Sequence, residues 1–420
     1  MFWLLILVLL LATVLFYALE RQAFAPASTA ASIWLVVALL GAAVGNLQAD
    51  WVGLLLIATL LTVYGSAACV GQALVLWLHP VSRTQISTTR PRIVLFSYAL
   101  LVPLSVGAIV APLLAVDVDE LAVASLLAAS SDLTNQRYRG DALPWYANAL
   151  LIAVYLLALM GGWSWWERGK VRLPNRIATA SGLFCATAYA VLTTARATLL
   201  FALVLFSAAL ITSRILAQTQ GRVRPISIRN VLLSAGAAGA FVVVVFLAGG
   251  WFRYSNQDLS FVLGKADAYF GGVTGLSDWL LRYEMPPPSW GSFTFAGVAD
   301  ALGVKAREIG ITQEYFIMPS GNPSNLYTSV RWLVEDFGLV GAHIVIGAFG
   351  VAAGGAWAYL LRGRQSGARL YAVIMAIVIG SPIWSLLAYN TLIAACLVFL
   401  AWSAVAYRTA RRVSTRILCP

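Results

Sequence analysis

The sequence predicts an all-α protein threaded repeatedly through a lipid bilayer, on three grounds: composition, the length of the apolar runs and the placement of charge. Of 420 residues, 60% are hydrophobic and 11% charged, with a mean hydropathy of +0.83. That leaves too few polar side chains to cover a water-facing surface. Lipid offers no hydrogen bonds, so every backbone N–H and C=O needs a partner inside the fold, which only helices and closed barrels provide. The runs are continuous over roughly 17–28 residues rather than alternating over about ten, and that selects helices.

Taken in order, the first run, MFWLLILVLLLATVLFYALE, has no basic residue ahead of its apolar core and no small-residue cleavage site. It reads as a membrane helix rather than a removed signal peptide. About eleven spans are expected, near 2–18, 31–46, 51–78, 92–116, 144–165, 177–193, 197–213, 231–250, 337–361, 370–387 and 391–407. The stretch 177–213, bounded by Arg176 and Arg214, would measure about 55 Å as one straight helix, nearly twice the hydrocarbon thickness. A hairpin turning around LTTARATLL is therefore expected, with Arg196 at its tip. One connection is long, 251–336, and is expected to form a large, partly helical loop capping the bilayer. Neither a fixed-period repeat nor a low-complexity tract divides the chain, so 1–420 reads as a single membrane domain.

Charge orients the spans. With 251–336 outside, the inner connections hold 19 of the 28 basic residues but only two of the 17 acidic ones, Glu20 and Glu167. Every loop then obeys the positive-inside rule, with the N-terminus outside and the C-terminus inside. The net charge of +11 is accounted for by orientation and by anionic inner-leaflet lipid, and nucleic acid is not called for as a partner. Cys69, Cys185, Cys396 and Cys419 lie in apolar runs or at the C-terminus without CxxC spacing, so neither a disulfide nor a metal site is expected. HExxH, GxSxG, the P-loop and an outer Asp-x-Asp pair are all missing from the sequence, against metalloprotease, serine hydrolase, ATPase and metal-dependent sugar-nucleotide transferase chemistry.

Ionisable groups at membrane depth or at the outer mouth are costly, and they mark the candidate site. Arg196 has two readings: a bidentate phosphate ligand facing a polar cavity, or a side chain snorkelling to headgroups. The outer loop interleaves Arg253, Arg282 and Arg331 with Trp279, Trp290, Tyr327 and Trp332. Cations and aromatic faces in that mixture suit a glycan phosphate, although an interfacial aromatic belt has the same composition. Glu314, Glu335 and Asp336 are among several carboxylates that offer a general base. His343 reads equally as a helix-packing residue and as a functional one.

The segment GNPSNLYTSVRWLVEDFGLVG resembles the N-x-Y-T-x-x-R-x-x-x-x-D-F-G-x-x-G signature of Wzy-type oligosaccharide repeat-unit polymerases. Asn325, Tyr327, Thr328, Arg331, Asp336, Phe337, Gly338 and Gly341 match it. With the arginine-tipped hairpin, a basic inner loop, one further span and the large outer loop, the likeness extends over about 176–345. It implies a GT-C-like glycosyltransferase of the bacterial inner membrane that uses neither metal nor other cofactor. Its donor and acceptor would be undecaprenyl-diphosphate-linked glycans, its product O-antigen, capsule or exopolysaccharide, and a chain-length regulator would be its protein partner. The related O-antigen ligases carry a loop histidine beside an asparagine where this chain has Ser324, which favours polymerase over ligase.

On that reading the leaving diphosphate needs a cation, expected from Arg196, Arg331 and Arg253, with Arg282 also among the substrate-binding residues. The acceptor hydroxyl needs a base, expected from Asp336 or Glu335, with Glu314 behind them. Asp336 has a second reading, as the partner that orients Arg331. Asn325 and Tyr327 are expected against sugar, and Gly338 and Gly341 at a close helix approach. A glycan ligase and a lipid-linked glycan transporter or flippase are the alternative functions.

Overall fold

The computed structural model describes residues 2–20, 24–44, 51–78, 91–114, 133, 145–167, 173–193, 195–223, 271–282, 287–304, 314–318, 321–325 and 327–417. It is predominantly helical. Six described helices are long and apolar enough to cross a membrane: Phe2–Glu20, Trp51–Leu78, Ile93–Leu114, Trp145–Trp166, Ala197–Thr219 and Ser329–Leu361. Shorter apolar helices lie at Pro26–Ala42, Ile177–Leu192, Gln365–Gly380 and Asn390–Val405. The expected span 231–250 lies outside the described residues. Large apolar side chains such as Trp3, Leu11, Leu95, Phe96 and Val340 stand on the outside of these helices, a surface that suits lipid and would be unfavourable in water.

Where the sequence offers no boundary, contacts divide the chain into two compact units, 1–83 with 263–362 and 374–393, and 84–262 with 363–373 and 394–420. The first contains α1 (Phe2–Glu20), α2 (Pro26–Val44), α3 (Trp51–Leu78) and the described parts of the long loop. Glu20, at the end of α1, accepts hydrogen bonds from the backbone N–H groups of Ala27 and Ser28. A carboxylate thereby satisfies the otherwise orphaned donors at the start of α2.

The second unit is built around α5 (Trp145–Glu167), which packs against α4 (Pro91–Leu114), α6 (Leu173–Leu192) and α7 (Arg196–Thr219). A Cβ added to Gly162 would lie 2.2 Å from the Phe206 carbonyl oxygen, so α5 and α7 touch backbone to backbone, as small residues allow. The hairpin expected within 177–213 is present: α6 ends at Leu192, α7 begins at Arg196, and the two helices pack together. In the same unit the Arg369 side chain donates to the Ser403 carbonyl and the Gln365 amide oxygen, and lies over Trp163 and Trp402.

In the long loop of the first unit, α8 (Gly272–Arg282) and α9 (Ala296–Ala301) are followed by a short antiparallel pair, β1 (Phe316–Ile317) and β2 (Pro323–Ser324). Next comes α10 (Ser329–Leu361), which starts eight residues before the span expected at 337. Its extra turns, 329–336, are largely buried and contain Arg331, Glu335 and Asp336, and Gly338, at φ 66° and ψ 177°, separates them from the apolar remainder. That conformation is open to glycine and strained for other residues, and no atom would crowd a Cβ there. Gly338 is thus a hinge in the helix rather than the close-approach residue expected from the sequence. The close approach lies deeper, between α3 and α10, where a Cβ on Gly354 would fall 1.8 Å from the Ala68 carbonyl oxygen. His343 bridges the same two helices, its Nε2 lying 3.1 Å from Thr59 Oγ1 and its Nδ1 2.7 Å from the Leu339 carbonyl, which favours the helix-packing reading. The chain continues into α11 (Gln365–Gly380) and α12 (Asn390–Ile417).

Candidate functional site

The site forms where the loop enters α10. Thr328 is extended and the helix begins at Ser329, so Arg331 and Glu335 fall one turn apart, four residues along the helix. At about 100° per residue this spacing stacks their side chains on one face, whereas Asp336, five residues on, is turned well away from it. Accordingly Arg331 bonds Glu335, through Nε at 3.1 Å and Nη2 at 3.0 Å. The alternative in which Asp336 orients Arg331 is superseded by this pairing.

The β1–β2 pair supplies the second carboxylate. Phe316 pairs with Ser324 across the strands, and the turn places Glu314, just ahead of β1, 2.6 Å from Arg331 Nη2. Tyr327, just after β2, packs its ring on Phe316 and beneath the guanidinium, with Arg331 Cζ 4.0 Å from the Tyr327 ring centroid and 5.2 Å from that of Trp279. Arg331 is 3% exposed, and its Nη1, also buried, has no hydrogen-bond partner among the described residues. A buried guanidinium on an aromatic face, with one donor unspent, is poised for an additional acceptor. Burial pushes the Tyr327 phenol above its usual pKa and the Arg331 charge partly offsets this, so the ring is neutral at physiological pH.

Asp336 does different work. It is fully buried, and its carboxylate accepts from Ser289 Oγ and from the backbone N–H groups of Phe293 and Thr294, while its own carbonyl accepts from the Trp290 N–H at 3.0 Å. A carboxylate held by three donors is a ligand for the chain segment around it and has little freedom to collect a substrate proton. The geometry therefore gives Asp336 a structural role that the sequence did not suggest. Sequence spacing offered no sign of this role, because its partners lie 42 to 47 residues earlier.

The remaining expected residues are dispersed. Arg282, at the end of α8, is exposed and paired with Asp278 one turn back; its charge is felt at Tyr327. Asn325 follows β2 and is half-buried. Arg196 opens α7 in the second unit; its side chain, and the whole of Arg253, lie outside the described residues. Among the described residues no cluster of three or more His, Cys, Asp or Glu side chains is arranged to hold a metal ion.

The first unit also contains a partly open apolar pocket of about 120 Å³. Trp34 of α2, Ile57 and Leu60 of α3, and Leu333 and Phe349 of α10 line it, together with the small polar residues Thr294, Ser329 and Ser385. Ser385 Oγ donates to the Thr294 carbonyl, so the cavity wall is tied to the segment that Asp336 holds. Comparison of the chain with known protein families, characterised proteins and solved structures finds no match.

Proposed function

We propose that the protein is a metal-independent glycosyltransferase that joins lipid-diphosphate-linked oligosaccharide units outside the membrane, as the polymerase resemblance implies. The observation that carries the reading is Arg331: a buried arginine on an aromatic floor, held by two carboxylates of unequal freedom, with Nη1 unspent. The Glu314 side chain is 66% exposed, against 14% for Glu335. Glu314 is the exchangeable partner, and a diphosphate oxygen competes with it for Nη2 while taking Nη1. Glu335 is the fixed partner, oriented by two donors.

In the reaction the acceptor hydroxyl oxygen bonds to the anomeric carbon of the donor sugar. The bond from that carbon to the diphosphate oxygen breaks, and its electron pair leaves on the diphosphate, where Arg331 meets the developing charge. The hydroxyl proton passes to Glu335. A preorganised cation in a water-poor site typically contributes on the order of 3 kcal/mol to such a transition state. The apolar cavity supports a lipid-borne substrate, since a hydrocarbon chain suits its walls.

The test is a gel of the surface glycan from a deletion strain carrying wild-type protein, Arg331→Ala or Glu335→Gln. The expected outcome is single-repeat product with either variant and long polymer with the wild type. Polymer retained on its carrier lipid points instead to the ligase, and loss of all externalised glycan to the transporter; either overturns the proposal.

A further inference from the structure

Trp290 is among the most exposed large hydrophobic residues described, at 81%, and it is the one non-glycine residue among the described residues with positive φ, 52°. A bulky side chain in the left-handed region is strained and persists only where surrounding contacts impose it. Beside turn hydrogen bonds such as Ser292 N–H to the Ser289 carbonyl and Phe295 N–H to the Gly291 carbonyl, the long-range contacts come from Asp336. Asp336 accepts the Trp290 N–H on its carbonyl, and its carboxylate gathers Ser289 on one side of Trp290 and Phe293 and Thr294 on the other. Asp336 is buried, directly follows Glu335 and sits on the rigid start of α10. The structure thus uses a buried carboxylate to hold the strained backbone from which a solvent-facing indole projects.

We propose that the Trp290 indole is a stacking platform for a pyranose ring of the glycan, with Asp336 as its positioning residue. This rests on the glycosyltransferase reading. The axial C–H face of a sugar carries partial positive charge and packs on the electron-rich face of an indole, an interaction that requires the ring to be held at a fixed angle. A tryptophan serving only as a bilayer anchor gains nothing from a fixed, strained backbone, because headgroup contact tolerates many orientations.

The experiment uses the full-length protein in nanodiscs and, as probe, water-soluble oligosaccharides released by mild acid from the source cell's own surface polysaccharide. Trp290→Gly is expected to weaken binding about tenfold and Trp290→Phe about twofold to threefold, with acceptor KM rising in parallel and kcat within twofold of wild type. Because glycine relieves the strained φ, the thermal midpoint of Trp290→Gly stays level or rises, which separates lost binding from lost folding. Asp336→Asn is expected to raise KM while sparing kcat; a collapse of kcat with unchanged KM would restore Asp336 as a base and overturn its positioning role. Unaltered binding and KM in Trp290→Gly overturn the platform. So does unaltered binding accompanied by loss of quenching by brominated lipids in Trp290→Phe, which assigns the indole to the bilayer. If the wild type binds oligosaccharide through Trp290 yet extends no chain, the platform stands and the polymerase reading falls. If Trp290→Gly extends chains at wild-type KM, the platform falls and the polymerase reading stands.

Discussion

Arg331 and Arg369 are both buried, 3% and 1% exposed, and each lies over two aromatic rings, yet the acceptors around them differ in kind. Arg331, in the first unit, bonds two carboxylates, one of them largely in solvent. Arg369, in the second, donates to a backbone carbonyl and a side-chain amide. A cation bonded to uncharged acceptors on its own and a neighbouring helix, and stacked on indoles, ties those helices together. A cation held partly by an exposed carboxylate has a partner that solvent reaches, and the ion pair to such a partner contributes little to stability. The chemical environment, rather than the depth of burial, separates the two arginines, and it is the ground for proposing Arg331 as the working one.

Four substitutions break or sharpen this contrast. The largest effect is expected from Arg331→Lys, which keeps the charge but loses the planar fork: polymerisation in membrane vesicles should fall about a hundredfold, equivalent to roughly 3 kcal/mol, with insertion unchanged. Equal activity of lysine and arginine would reduce Arg331 to a point charge. Arg369→Ala comes next and should act on stability instead, lowering it by about 2–4 kcal/mol through lost packing and orphaned acceptors, read as a lower thermal midpoint in detergent. If Arg369→Ala abolished turnover at unchanged midpoint, the contrast between the two arginines would be lost. Gly338→Ala forces an alanine to φ 66° and should cost about 1–2 kcal/mol, seen in the same melting assay, together with a change in KM if the hinge sets the angle of the Arg331 turn. The smallest effect belongs to Glu314→Gln: stability within about 1 kcal/mol of wild type, as for an exposed ion pair, and donor KM lowered because the competing charge is gone. A hundredfold loss of kcat in Glu314→Gln would make Glu314 the base in place of Glu335.

The site was only partly legible in the sequence. Arg331 and Glu335 stand four residues apart in a segment with helical patterning, and that local spacing makes the pair predictable. Glu314 and Asp336 were visible as carboxylates, but their partners were not. Glu314 reaches Arg331 through the turn of a two-residue strand pair, and Asp336 reaches back across more than 40 residues to the 289–294 segment, so neither contact leaves a period in the chain. The signature residues around 325–341 were read as a loop leading into a span. The structure starts the helix at Ser329 and makes Gly338 its hinge, a distinction of backbone angle that a residue name only hints at. In the second unit, Arg196 stands where the hairpin was expected to turn, because the limit there is bilayer thickness against helix rise, which the sequence states directly.

The sequence by itself determined that this is a helical, lipid-facing chain, because long apolar runs with so little charge have no other stable solution in a bilayer. It also determined which loop concentrates cations, carboxylates and aromatics, since those are matters of composition and order. Only the tertiary structure decided what each charged group does. Arg331 gained a movable and a fixed carboxylate, Arg369 a place in the packing, and Asp336 the task of holding Trp290 in view of solvent, because the character of a buried charge is set by the partners that surround it.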